Sequence, residues 1–207
     1  NGTLPVRLGW QSSASLTIDD GESEQPVHYR TLWVSNSGSD VSGDGSEANP
    51  WKSLQHAANS VGPGDYVIVE PGNYWGFQIT TDGKEDAPIT FHAKPGVLID
   101  APNPENELDG INLEGADHVV IEGFEVNDMP RTGIRSVLNT GAVIRGNRMD
   151  HNTYWGILTG WSDNILIENN VASRSVREHG IYVSNSSDDG IVRNNIVWGN
   201  NDSGIQF

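Results

Sequence analysis

Hydrophobic and polar positions alternate in short bursts along most of this chain, and from Gly110 onward the bursts repeat. One phrase reads Gly110-Ile111-Asn112-Leu113, Gly133-Ile134-Arg135-Ser136, Gly156-Ile157-Leu158-Thr159, Gly180-Ile181-Tyr182-Val183 and Gly204-Ile205-Gln206-Phe207. Successive copies lie 23, 23, 24 and 24 residues apart. A second phrase keeps step with the first: Ile121-Glu122-Gly123, Ile144-Arg145-Gly146-Asn147, Ile167-Glu168-Asn169-Asn170 and Val192-Arg193-Asn194-Asn195. Two phrases locked to one period predict a stacked array of coils.

The runs within each repeat are three to five residues long and rich in Ile, Val and Leu. They are too short for helices, and they alternate with period two, as strands do. In the Gly-Ile-x-Leu phrase this turns Ile111, Ile134, Ile157, Ile181 and Ile205 inward, and Asn112, Arg135, Leu158, Tyr182 and Gln206 outward. Like positions then stack at the strand spacing of about 4.8 Å. Asn147, Asn170 and Asn195 fall at one bend of successive coils, where Asn suits a tight corner and can hydrogen-bond up the stack. The pattern predicts an all-β fold, a right-handed parallel β-helix of about 23 residues per coil. A leucine-rich repeat of similar length would need a Leu/Asn phrase and a helical segment, and neither is present.

The segment before the array reads differently. Leu4, Val6, Leu8 and Trp10 could make one strand, and Ser12 to Gln25 reads as a linker. Thr31 to Ser35 is a better strand. Residues 51–61 form the one good helix pattern, with Trp51, Leu54, Ala57, Ala58 and Val61 on one face, Pro50 before it and Gly62-Pro63-Gly64 after it. A solenoid exposes the core of its first coil, and this helix is the candidate to cap it. Asp65 to Tyr74 starts the coils, and Gly76-Phe77-Gln78-Ile79 fits the repeated phrase one coil before Gly110. That interval is 34 residues, so about 11 residues are inserted, most simply as one loop from Ala101 to Leu108. The predicted organisation is an extension over 1–30, a cap over 31–64 and a β-helix over 65–207. The array has no visible end at Phe207, so the edge of the last coil is expected to be covered by further sequence or by another chain.

Formal net charge is −16 and the pI about 4.5, with the acidic excess concentrated before Gly110. Such a surface argues against nucleic acid or an anionic membrane as partner. A polyanionic ligand would need a bridging cation such as Ca²⁺; alternatively, acidity simply keeps an extracellular or salt-adapted protein soluble. There is no Cys, hence no disulfide and no thiolate metal site. No apolar run approaches the ~18 residues of a membrane span. The chain begins at Asn1 without Met, consistent with a processed product. Asp40, Ser42, Asp44 and Gly45 mimic the start of a calcium-binding loop, yet the twelfth position is Trp51 where that loop has a bidentate Glu. A plain turn and a cation site at Asp40 and Asp44 both remain open.

Trp33-Val34-Ser35, Gly38-Ser39-Asp40, Gly45-Ser46, Asn49 to Leu54, Pro63-Gly64-Asp65 and Pro71-Gly72-Asn73-Tyr74 resemble the amino-terminal segment of secreted bacterial right-handed β-helix proteins. The resemblance is to the pectate-lyase-like superfamily, especially polysaccharide lyases of the family 9 type, and covers residues 31–207. It implies a secreted protein that cleaves an acidic, uronate-containing polysaccharide by β-elimination. Ca²⁺ would neutralise the uronate carboxylate while a Lys or Arg removes the C5 proton. The family 9 pattern places an Asp cluster and a Lys base on the coils. Here the coils from Gly110 hold no Lys, and Asp188-Asp189 is their one adjacent acidic pair, so no family catalytic residue carries over. Either an Arg serves or the site lies beyond Phe207.

The candidate surface is the outward face of the Gly-Ile-x-Leu sheet with the turn before it. Arg131, Arg135, His151 and His179 are its candidate catalytic residues. Arg177, Tyr182, Trp155, Trp161 and Gln206 are its candidate substrate contacts, because arginine clamps carboxylates and aromatic faces stack on sugars. Three functions compete: a lyase, a glycosidase using carboxylates drawn from Glu114, Glu178 and Asp202, and a non-catalytic glycan-binding module.

Overall fold

The computed structural model describes residues 27–207, so the strand expected at Leu4 to Trp10 and the linker from Ser12 to Gln25 lie outside the described residues. The chain forms a parallel β-solenoid of right-handed type, about six turns of about 24 residues each. Three sheets run along it. The first contains Thr31–Val34, Tyr66–Val69, Ile89–Ala93, Val119–Glu122, Val143–Arg145, Leu166–Glu168 and Ile191–Arg193. The second contains Gly72–Trp75, Val97–Ala101, Glu125–Asn127, Arg148–Asp150, Val171–Ser173 and Ile196–Trp198. The third contains Phe77–Gln78, Ile111–Glu114, Thr132–Val137, Trp155–Gly160, Ile181–Ser184 and Ile205–Gln206.

The predicted file of isoleucines is present. Phe77, Ile111, Ile134, Ile157, Ile181 and Ile205 are register partners in turn, and from Phe77 to Ile181 each is fully buried. Phe91, Ile121, Ile144 and Ile167 make the matching file in the first sheet, and Ile99, Val126, Met149 and Ala172 in the second. Phe77 stacks on Phe91 with centroids 4.7 Å apart, filling the wide first coil that smaller side chains would leave hollow.

The glycine that opens each phrase has a steric cause. Each lies outside the left-handed region, so conformational freedom is not the reason. A Cβ on Gly156 would sit 2.7 Å from the carbonyl oxygen of Gly180, one on Gly133 2.7 Å from that of Gly156, and one on Gly76 1.9 Å from that of Gly110. Neighbouring coils approach too closely there for any side chain.

Corners repeat as faithfully as strands. Left-handed residues stand in columns: His118, Gly141, Asn164 and Asp189 before the first sheet, Gly123, Gly146, Asn169 and Asn194 after it, Asp128, His151, Arg174 and Gly199 after the second, and Gly115, Leu138, Trp161 and Asn185 after the third. The expected asparagine column is therefore one residue past the left-handed position. Asn170 Oδ1 accepts the N–H of Asn147 at 2.9 Å, and its Nδ2 donates to Ile144 O at 2.9 Å and to Asn195 Oδ1 at 3.0 Å. A second ladder follows the second sheet, where Asn152 accepts Met129 N–H and donates to Val126 O, and Asn200 accepts Ser175 N–H and donates to Ala172 O.

Two expectations are corrected. The extra residues of the early coil do not form one loop at 101–108. Phe77 to Phe91 is 14 residues where Ile111 to Ile121 is 10; Phe91 to Ile99 is 8 where Ile121 to Val126 is 5; Ile99 to Ile111 is 12 where Val126 to Ile134 is 8. All three turns are lengthened, because solvent-facing turns tolerate insertion and strands in register do not. The helix also spans Leu54–Ala58 rather than 51–61. Trp51 bridges to Val34 beside the first sheet, and Ser53 is the N-cap, its hydroxyl accepting His56 N–H. Leu54, Ala57 and Ala58 are buried as the pattern required. Gln55 Oε1 accepts Gln78 N–H at 2.8 Å and its Nε2 donates to Gln78 O at 3.0 Å, so one side chain satisfies both backbone groups on the edge of the third sheet.

The outer face of the first sheet carries a ladder of charge. His92, Glu122, Arg145, Glu168 and Arg193 are consecutive register partners, with ion pairs of 2.6 Å from Arg145 to Glu122 and 2.8 Å from Arg193 to Glu168.

Asp65 anchors the start of the coils. It is fully buried; burial alone would raise its carboxyl, but hydrogen bonds from the Arg30 guanidinium and from the N–H groups of Gly62 and Arg30 outweigh that and hold it below the usual carboxylate range. A depressed value in the folded state stabilises the fold above the unfolded value of about 3.9 and loses that contribution as pH falls through the lower folded value. Asp65→Asn is expected to melt earlier than the native protein at pH 7, and the gap should close below about pH 4. Melting curves across that range check it.

Candidate functional site

The turn from the second to the third sheet forms a ridge along the solenoid, because each coil contributes the residues just before its recurring Gly. On three successive coils these are Tyr154 with Trp155, Arg177 to His179, and Asp202 with Ser203. The side chains meet. Trp155 lies 5.4 Å from Tyr154 and 6.1 Å from Tyr182 between ring centroids, and His179 meets Tyr182 edge-on at 5.1 Å. The Arg177 guanidinium sits 5.5 Å over the Tyr154 ring and donates to its hydroxyl at 3.1 Å. Trp155 Nε1 is buried and has no acceptor among the described residues.

Glu178, His179 and Asp202 converge beside this run, one donor atom of each lying within 4.8 Å of the others. His179 Nδ1 accepts the N–H of Ser203 at 3.2 Å, and Nε2 faces Glu178 at 3.5 Å. In the neutral ring the proton is then on Nε2, directed at the carboxylate.

The structure separates the remaining candidates. Arg135 is on the outward face beside Asn112 and Leu158 as the pattern required, with its guanidinium engaged by Asn112 Oδ1 at 3.1 Å and Glu114 at 2.5 Å. Arg131 grips the fully buried Asp109 through two hydrogen bonds of 2.9 and 2.6 Å, clamping the turn at 102–109 to the next coil. His151 stands at a corner, bonded to Asp128 at 2.6 Å. Trp161 belongs to the far corner of the third sheet, since the strand Trp155–Gly160 separates it from Trp155 by about 20 Å at 3.3 Å per residue. Gln206 continues the Tyr182 column, its Nε2 donating to Phe207 O. Asp40 Oδ1 accepts the N–H groups of Lys52 and Ser53, and Asp44 Oδ1 that of Ser46, so each closes its own loop.

The sequence model of the family described as periplasmic copper-binding protein (NosD) matches residues 84–207. The chain belongs to that family. No curated protein sequence matches it. Among solved structures, pectate lyase Pel9A superposes with a TM-score of 0.72 at 20% identity, over 84% of this chain and 49% of that one. An alginate lyase from Paenibacillus sp. str. FPU-7 gives 0.56 at 17% identity, over 68% and 55%. A GH136 lacto-N-biosidase from Eubacterium ramulus gives 0.55 at 15% identity, over 78% and 41%. The chain thus spans about half the length of these neighbours, and the likeness is one of fold.

Copper is the metal in the family's description, and the described residues of this NosD-family chain fit it poorly. Cu(I) favours thiolate and thioether ligands, yet the sequence has no Cys and both methionines, Met129 and Met149, are fully buried in the core. The group at Glu178, His179 and Asp202 offers a single nitrogen, and that nitrogen carries the ring proton.

Proposed function

We propose that this chain binds an acidic polysaccharide along the ridge from Tyr154 to Asp202 and serves an extracytoplasmic enzyme that cleaves it by β-elimination. The observation that carries the reading is the run of Tyr154, Trp155 and Tyr182 with the Arg177 cation on it. Aromatic rings with polar edges offer stacking surface for sugar rings, and guanidinium holds carboxylate. Arg177 and Arg135 would neutralise uronate carboxylates, and His179, its Nδ1 held by the Ser203 N–H, would donate from Nε2 to fix the Glu178 carboxylate beside the substrate. Ca²⁺ enters the proposal as the ion that offsets repulsion between the polymer and a chain of charge −16. The segment 31–64 is assigned as the lid on the first coil, through Gln55 and the buried face of the helix.

A second reading has its own support. The carboxylates of Glu178 and Asp202 approach within 4.8 Å, close to the roughly 5–5.5 Å of a retaining glycosidase pair.

One experiment separates the readings. The protein is incubated with galacturonate, guluronate/mannuronate and glucuronate polymers, with Ca²⁺ or with chelator. Unsaturated-uronate absorbance supports elimination; new reducing ends without it support hydrolysis; binding without either product supports a non-catalytic module. Tyr182→Ala and Arg177→Gln should each weaken binding about tenfold, roughly 1.4 kcal/mol, while leaving the melting temperature within a few degrees. Unchanged affinity in both would remove the ridge as the binding surface.

A further inference from the structure

A second aromatic stands on the same ridge, outside the residues matched by the family. Trp75 directly precedes Gly76, as Trp155 precedes Gly156 and His179 precedes Gly180. Three coils separate Trp75 from Trp155, about 14 Å at the strand spacing. Trp75 is 68% exposed, facing outward as alternation requires of the strand residue after the buried Tyr74.

The indole borders a cavity of about 340 Å³ between the helix and the first coil. Lys52 reaches the cavity from the residue before the helix cap, and Pro104 closes it from the lengthened turn. The ammonium of Lys52 has no acidic partner among the described residues, whereas Lys94 is paired with Glu70. Asp40 also lines the cavity, but its Oδ1 accepts the N–H groups of Lys52 and Ser53. Asn36 donates to Asn73 O, and Asn73 donates to Asp100 at 2.6 Å, which fixes the polar wall. A cation without an ion-pair partner in a cavity whose walls are Trp75, Tyr74 and Pro104 offers a ring-stacking surface and a charge for a carboxylate together, which is complementary to an anionic sugar.

We propose that this cavity is a second subsite for one anionic unit of the polysaccharide, with Trp75 stacking on the ring and Lys52 holding its carboxylate. The inference rests on the ridge being the binding surface. It adds that the polymer runs parallel to the solenoid axis, from Trp155 toward the first coil.

The test is calorimetric titration with short (trimer) and long (octamer) oligomers of the uronate the native protein binds. The native protein, Trp75→Ala, Lys52→Gln and Tyr182→Ala are compared. Trp75→Ala should weaken the octamer about tenfold and leave the trimer unchanged. Lys52→Gln should weaken the octamer and flatten its salt dependence, because one charge contact is lost. Tyr182→Ala should weaken both lengths. Full octamer affinity in Trp75→Ala and Lys52→Gln, with loss in Tyr182→Ala, overturns the second subsite and keeps the ridge. Absence of uronate binding by the native protein, or full affinity in Tyr182→Ala, overturns the ridge and the subsite together. The side chain of Trp75 is largely in solvent, so its variant is expected to fold, which circular dichroism checks.

Discussion

Asn170→Ala will destabilise the protein by about 4 kcal/mol, the largest effect expected of any single polar substitution on the coils. Its amide serves three coils at once. Oδ1 accepts both the backbone N–H and the side-chain Nδ2 of Asn147, while Nδ2 reaches Ile144 O and Asn195 Oδ1. Asn170 is fully buried, so water cannot replace what alanine removes. Each buried group left unpaired costs about 1–3 kcal/mol; here the N–H of Asn147 is orphaned, and the side-chain amides of Asn147 and Asn195 and the Ile144 carbonyl each lose one partner. Urea denaturation should show a lower midpoint with an unchanged slope. Asn195→Ala is the internal comparison: Asn195 is partly exposed at the last coil, and its loss should cost less than half as much. Equal costs at the two positions would mean that burial does not govern the ladder.

Gly156→Ala is expected to cost about 3 kcal/mol, at the upper end for overpacking by one methyl group. The new Cβ would lie 2.7 Å from Gly180 O and 3.0 Å from the Ala172 side chain. The first neighbour is backbone held in a parallel ladder, so only a shift of the whole coil relieves the contact. Gly146→Asn provides the contrast. Gly146 has φ +64 with nothing within 4 Å of a built Cβ, and the equivalent positions one and two coils on are Asn169 and Asn194, at φ 57 and 56. That substitution should be nearly neutral. The two glycines, ten residues apart, answer to different physics, and midpoints that moved equally would refute the distinction.

Repetition explains what could be seen in advance. A column of Ile111, Ile134, Ile157 and Ile181 is visible because the same environment recurs once per coil and selects the same residue. Asn147 and Asn170 are visible for the same reason. Turn lengths are free to vary where they face solvent, which is why 11 extra residues looked like one loop and are in fact distributed over three turns. Ion pairs were hidden by distance in the chain. Asp109 with Arg131, Glu122 with Arg145, Asp128 with His151 and Asp150 with Arg174 are each 22 to 24 residues apart, so each basic residue meets an acid one coil earlier. Looking one period back from Arg131 and His151 would have shown them engaged. Trp155 and Trp161 looked like neighbours because six residues is short in sequence, yet six residues of strand cross the full width of a sheet. Trp75 was overlooked although its place before a recurring Gly marks it as a counterpart of Trp155.

The alternating ladder on the first sheet constrains how this architecture can change in size. Glu122, Arg145, Glu168 and Arg193 follow one another with opposite sign. Excising a single repeat between Glu122 and Glu168 would bring acid against acid, whereas excising two adjacent repeats would restore a favourable neighbour. On that face the length of the molecule is edited most safely in even steps, a parity rule set by side chains that play no part in closing the core.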